Sequence, residues 1–303
     1  MKRAGLILIA LLVYVSALSA ADDDVIRFTR PSKIGDRFRL DAKGTSREQE
    51  RITVGDQVQK SDKDLSVHLI AAATIQAVDS RADATRIEYL IESLQKTSDG
   101  KTEEVLAAGR KVVAEADAEG HTVFTVDGDP ALEDISKALG VVISAHTPGA
   151  PQDDEIFGTS GRRKVGDKWS INNATMATFL SKSGLKVAPE NLKGTVSLDG
   201  VRTVGAVRAL ALTAQLSANG MALDLPEFVR LEKSTMTGEY KALLPADPDV
   251  PNYLPSKITM QITFKGRGQR PDTGSTVTIE ETMEMSVENS SQPLKPEPQP
   301  VAF

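Results

Sequence analysis

Apolar and polar residues alternate in run after run of this chain, and no other feature limits its fold so strongly. Val67, Leu69, Ala71, Ala73 and Ile75 are interleaved with His68, Ile70, Ala72, Thr74 and Gln76. Ile87, Tyr89 and Ile91 repeat the pattern, as do Leu210, Leu212, Ala214 and Leu216, then Ile258, Met260, Ile262 and Phe264. Val277, Ile279, Met283, Met285 and Val287 carry it towards the C-terminus. Successive side chains of a strand point to opposite faces, so this spacing buries one face and wets the other. One-sided burial is the signature of antiparallel sheet.

Turn chemistry separates the runs. Asp99-Gly100, Asp127-Gly128, Asp199-Gly200 and Asn219-Gly220 are pairs that tolerate positive φ and close hairpins. Long strands such as 206–218, joined by tight turns, predict a curved sheet or an open half-barrel. Two short helices are expected. Asp129 caps the first, with Pro130 at its first turn and Gly140 beyond its end. Asn173 caps the second, with Met176, Phe179 and Leu180 inward and Gly184 as the stop. The fold class is therefore α+β, dominated by strands.

An internal likeness divides the chain. Lys33-Ile34-Gly35-Asp36-Arg37-Phe38-Arg39-Leu40 matches Lys164-Val165-Gly166-Asp167-Lys168-Trp169-Ser170-Ile171. Each Gly-Asp is expected to form a tight turn that launches a strand whose aromatic anchors the core. The segment 147–163 between them, rich in Gly, Pro, Asp and Ser, reads as a linker or long loop. The chain thus divides into a leader at 1–21, a first β-rich half at 22–158, a related second half at 159–288 and a Pro-rich, disordered tail at 289–303.

The leader carries the expectation of export. Lys2 and Arg3 precede an uncharged apolar run from Gly5 to Leu18, and Ser19-Ala20-Ala21 supplies a small-residue exit before Asp22. These are the three parts of a secretory signal peptide, with cleavage before Asp22 and a place in the periplasm or outside the cell. The run is shorter than the ~20 residues that span a bilayer, and no later segment predicts a membrane helix. With Lys2 and Arg3 gone, 34 basic residues face 42 acidic ones. A nucleic-acid partner is not expected of such a surface. The chain has no cysteine, which excludes disulfides, thiol nucleophiles and Cys-based metal sites.

The chemistry-bearing residues form no recognised motif. His68, His121 and His146 are scattered and are expected to be structural or surface histidines. Ser93-Leu94-Gln95-Lys96 fits S-x-x-K by letter but falls at the end of a strand, where the two side chains do not share a helical face. Gly266-Arg267-Gly268-Gln269-Arg270 lacks the ending of a phosphate loop and reads as a basic turn. The acidic groups Asp22–Asp24, Asp153–Glu155 and Asp247 with Asp249 lack calcium-loop spacing and are expected to be solvated loop charge. No catalytic residue, metal or cofactor is assigned.

The Gly-Asp-aromatic motifs, Ile34-Gly35-Asp36-Arg37-Phe38 and Val165-Gly166-Asp167-Lys168-Trp169, resemble strand openings of uncharacterised exported bacterial β-rich proteins, often of planctomycete type. The resemblance implies a signal peptide and a β-rich fold, and it brings no catalytic residue with it. The expected role is that of an exported, non-catalytic envelope or secreted protein, a binding or scaffold module whose partner is another envelope protein or a hydrophobic ligand. Two alternatives stand beside it. In one, a concave sheet carries a lipid on a face made by Ala71, Ala73, Leu210, Leu212, Ala214 and Leu216, whose small side chains leave volume. In the other, the protein is a hydrolase built on carboxylates.

Overall fold

The structure is a computed structural model that describes residues 23–117, 120–182, 184–222 and 225–295. The expected leader at 1–21 and the last eight residues of the expected tail lie outside the described residues.

The alternating runs form strands of one curved, open antiparallel sheet. The first half supplies β1 (Arg37–Val54), β2 (Gln57–Val78), β3 (Ala84–Ser98), β4 (Lys101–Leu106), β5 (Lys111–Ala116), β6 (Thr122–Val126) and the two-residue β7 (Asp129–Pro130). The second supplies β8 (Lys168–Ser170), β9 (Leu192–Val204), β10 (Val207–Asn219), β11 (Val229–Pro245), β12 (Ser256–Gln269) and β13 (Thr276–Pro293). The order across the sheet is β7-β6-β5-β3-β2-β1-β13-β12-β11-β10-β9-β8, with β4 beside β3. The halves share this one sheet because β1 pairs with β13 along its whole length, from Phe38 opposite Pro293 to Val54 opposite Val277.

Three short helices pack on parts of the inner face: α1 (Glu133–Val142), α2 (Asp153–Phe157) and α3 (Asn173–Lys182). They divide the core in two. Leu139 and Val142 of α1 bury Leu69, Ala71 and Ala73 of β2 with Tyr89 and Ile91 of β3. Met176 and Leu180 of α3, with Ile156 of α2, bury Leu210, Leu212 and Ala214 of β10. Each large aliphatic side chain so covered contributes roughly 1.5–3 kcal/mol. Gly44 of β1 lets α1 approach, since a Cβ there would lie 2.6 Å from Val141 Cγ1 and 2.8 Å from the Val141 carbonyl oxygen.

The two Gly-Asp turns are built with the same hydrogen bonds. The Lys33 and Lys164 N–H groups donate to Asp36 and Asp167 carboxylates, both at 2.9 Å. The Gly35 N–H donates to Ile75 on β2, and the Gly166 N–H to Leu198 on β9. Both glycines have positive φ, +88° and +95°. The chain diverges after the turns, because β1 runs straight into β2 whereas α3 interrupts β8 and β9. Trp169 anchors as expected, buried, with its indole N–H donating to the Phe157 carbonyl at 2.7 Å.

Several local expectations are corrected. The first helix starts at Glu133 and runs through Gly140, because Asp129 and Pro130 pair with β6 instead of capping it. The segment 147–163 contains α2, whose capping box joins Gln152 and Glu155. Asn289–Pro293 is strand, not tail: these residues pair with Ala42–Phe38, and Pro293 sits at the strand's end, where a missing donor costs little. Gly266–Gln269 continues β12, and Asp199-Gly200 lies inside β9. Asp24 is buried instead of solvated, bidentate to Arg208 at 2.7 and 3.0 Å. No helix among the described residues is long and apolar enough to cross a membrane.

Candidate functional site

Directly paired residues of an antiparallel sheet point to the same side, so the register identifies what lines the concave face. Ser46 of β1 stands between Leu65 of β2 and Met285 of β13. Met285 faces Met260 of β12, and Met260 faces Gly238 of β11. Gly238 faces Leu216 of β10, which faces Gly194 of β9. This row crosses seven strands, yet all of it lines one cavity of about 880 Å³. Strands as far apart in the sheet as β2 and β9 share a cavity only if the sheet bends into a trough.

Met260 and Met285 also belong to the wall of an adjoining cavity of about 810 Å³. Its floor continues through Ile258 and Val287, which face each other across β12 and β13. One flank is the end of α1, Val141 to Ile143, and the other is Phe179 of α3. α1 reaches the floor's edge at Gly44, which pairs with Val287, and the floor at Ile258 stays open. Ile258 keeps 44% of its surface exposed and Phe179 keeps 39%. From Met285 to Ser291 the floor extends about 20 Å at a strand's ~3.3 Å per residue.

Beyond Ser46 the same face becomes charged. Glu48 accepts from Lys63 at 3.0 Å, and Glu50 lies opposite Glu281. Burial raises the Glu281 carboxyl above its ordinary range, Glu48 and Glu50 add to the rise, and Lys63 opposes it.

The six residues expected to make a ligand face all lie on this inner side, but five of them are core. Ala71 and Ala73 are buried under α1, and Leu210, Leu212 and Ala214 are buried in the second core. Leu216 alone among the six is half-buried and reaches the trough. The residues that do line it, Ile258, Met260, Met285 and Val287, carry the same alternation in the sequence. What distinguishes them is that they line an open cavity instead of a closed core, which periodicity does not encode.

A second constellation lies outside the lining of both cavities. The turn between β2 and β3 brings Asp79 and Asp83 to His146, which is just C-terminal to α1, and their ligand atoms lie within 4.8 Å of one another. The other histidines are elsewhere: His68 pairs with Asp41 at 2.9 Å, and His121 is exposed. Asp153, at the start of α2, is pushed up to about 6 by desolvation and then by Asp154, with His146 opposing and Asp83 adding. The side chain keeps access to solvent, which moderates that shift.

No family model matches the sequence, and no curated protein matches it. Among solved structures, one reported for lipid–protein interactions in lipovitellin aligns with a TM-score of 0.38 and 8% identity, over 89% of this chain and 26% of that one. This chain thus spans about a quarter of the lipovitellin chain. OccK11 (OpdR) of Pseudomonas aeruginosa aligns with a TM-score of 0.16 and 9% identity, over 88% of this chain and 100% of that one. At such scores neither likeness bears on function.

Proposed function

We propose that this is an exported, non-catalytic binding protein that holds the acyl portion of an amphiphile in the trough. The observation that carries the reading is the partly open apolar floor between α1 and α3. Ile258, Met260, Met285 and Val287 are apolar and line a cavity, and Ile258 keeps an exposed face there. Apolar surface left in a concavity is where a hydrophobic ligand gains most, because it removes water from both partners. Methionines suit a flexible chain, since their unbranched side chains adapt to its shape. The charged stretch at Glu48, Lys63, Glu50 and Glu281 gives a polar headgroup a wet end to occupy.

The test is fluorescence titration of the purified protein with a long-chain fatty acid bearing an environment-sensitive dye. Saturable binding of one equivalent is expected, displaced by unlabelled fatty acid. Ile258→Asp puts a carboxylate on the floor at a half-exposed position, so the fold should survive and binding should be lost. A parent protein that shows no saturable binding, or a variant that binds as well as the parent, overturns the reading.

A further inference from the structure

The Asp79, Asp83 and His146 constellation takes no part in the trough's proposed chemistry, and its geometry calls for an explanation. The imidazole Nε2 of His146 is shielded from solvent and makes no hydrogen bond. Its nearest acidic neighbour, Asp83 Oδ2, lies 3.5 Å away. That is too long for a good hydrogen bond, whose N···O distance is about 2.9 Å. It is close to the separation of two ligands on one tetrahedral ion, about 3.4 Å for metal–ligand bonds of ~2.1 Å.

The ligand side chains are held in place by hydrogen bonds, and a carboxylate oxygen that accepts one keeps a second lone pair for an ion. Asp79 Oδ1 accepts the N–H groups of Arg81 and Asp83, at 2.8 and 3.0 Å. Asp83 Oδ2 accepts from the Gln152 side chain at 2.7 Å. The backbone N–H of His146 donates to the Ala84 carbonyl at 3.2 Å. Outer hydrogen bonds of this kind orient ligands in metal sites. Arg81 is the opposing charge: its Nε lies 3.9 Å from Asp79 Oδ2, and its Nη1 pairs with Glu155 at 3.2 Å. Asp153 and Glu155 add negative charge nearby, so the neighbourhood stays anionic.

We propose that Asp79, Asp83 and His146 bind a divalent transition-metal ion, with zinc as the reference cation, and that the ion ties the loop after α1 to the turn between β2 and β3. One imidazole with two carboxylates is a borderline donor set, which favours zinc over the hard ions calcium and magnesium. Three protein ligands leave a fourth position for water. The site is independent of what the trough holds.

The experiment uses untagged protein stripped with chelator and then given one equivalent of zinc chloride. Retention of one zinc per chain after gel filtration is expected, with no such retention of calcium. Histidine ring resonances in NMR locate the ion without any variant: those of His146 should move, and those of His68 and His121 should not. His146→Ala should lower zinc affinity at least about tenfold, or 1.4 kcal/mol. The stripped variant should keep the parent's circular dichroism, because no hydrogen bond to Nε2 is lost. Zinc also should slow proteolysis within residues 147–163 in the parent but not in His146→Ala. Failure to retain zinc, zinc shifts at His68 or His121 instead, or equal affinity in the variant overturns the proposal.

Discussion

Met260 on β12 and Met285 on β13 face each other across the ladder, and the pair lies in the wall of both cavities of the concave face. The two cavities are therefore successive stretches of one trough, and a ligand seated in one passes over this pair to reach the other. Bulk placed beside the pair should divide the trough.

Gly238 is the position for that bulk. It is directly opposite Met260, and a Cβ there meets nothing nearer than the Thr259 carbonyl oxygen at 3.6 Å. Gly238→Trp should fold as the parent does. Displacing only two methylenes of a bound acyl chain costs about 1.6 kcal/mol, more than tenfold in affinity. Fatty-acid titration beside a thermal melt checks this. Unchanged affinity in a folded variant would show that the occupant does not cross the Met260–Met285 pair.

Gly44 makes the opposite case. A methyl group there collides with Val141 side-chain and carbonyl atoms, and the carbonyl belongs to the helix backbone and cannot rotate away. Gly44→Ala should therefore push α1 off β1 and destabilise the protein by about 1–3 kcal/mol. Urea denaturation measures the loss. Hydrogen exchange should show it concentrated in residues 133–142.

The strands were legible in the sequence because burial is one-sided, and one-sided burial writes period two into the chain. Val67 to Ile75 and Leu210 to Leu216 face inward as the alternation requires. The helices were less legible. Pro130 is a good first-turn residue, but its neighbours pair with β6, so tertiary pairing overrode a local signal. The site was least legible. Ala71 and Ile258 sit in identical patterns, and only the placement of α1 and α3 makes one core and the other floor. Likewise His146 carries no motif, because Asp79 and Asp83 reach it through the β2–β3 turn instead of through helical spacing.

Asp24 ties the first described residues to the second half of the sheet. Its carboxylate holds Arg208 through two hydrogen bonds, and its backbone exchanges two more with Arg163, each at 2.8 Å. Asp24→Asn removes the charge and leaves the backbone pair. Arg208 is half exposed, so water recovers part of the loss, and the expected cost is about 1–2 kcal/mol. In 1 M salt the parent should lose part of this advantage, because screening weakens the pair. Equal urea midpoints for the two proteins at low salt would remove the ion pair from the account of how this segment docks.

Glu281 supplies the pH dependence. It stands opposite Glu50 with Glu48 near, and its carboxyl is raised above the ordinary glutamate value, first by burial and then by those two charges. An acid raised on folding favours the native state while protonated. The contribution is fully present below the unfolded value, 4.5, and is lost as pH rises through the higher folded value. Above that window the native state holds a carboxylate that it disfavours. Glu281→Gln keeps the shape and removes the charge, so it should raise the urea midpoint at pH 7 and leave it unchanged near pH 4. The side chain is only partly enclosed, so solvent screening keeps the gain small. A variant less stable than the parent at pH 7 would mean that Lys63, not the neighbouring glutamates, dominates the field at Glu281.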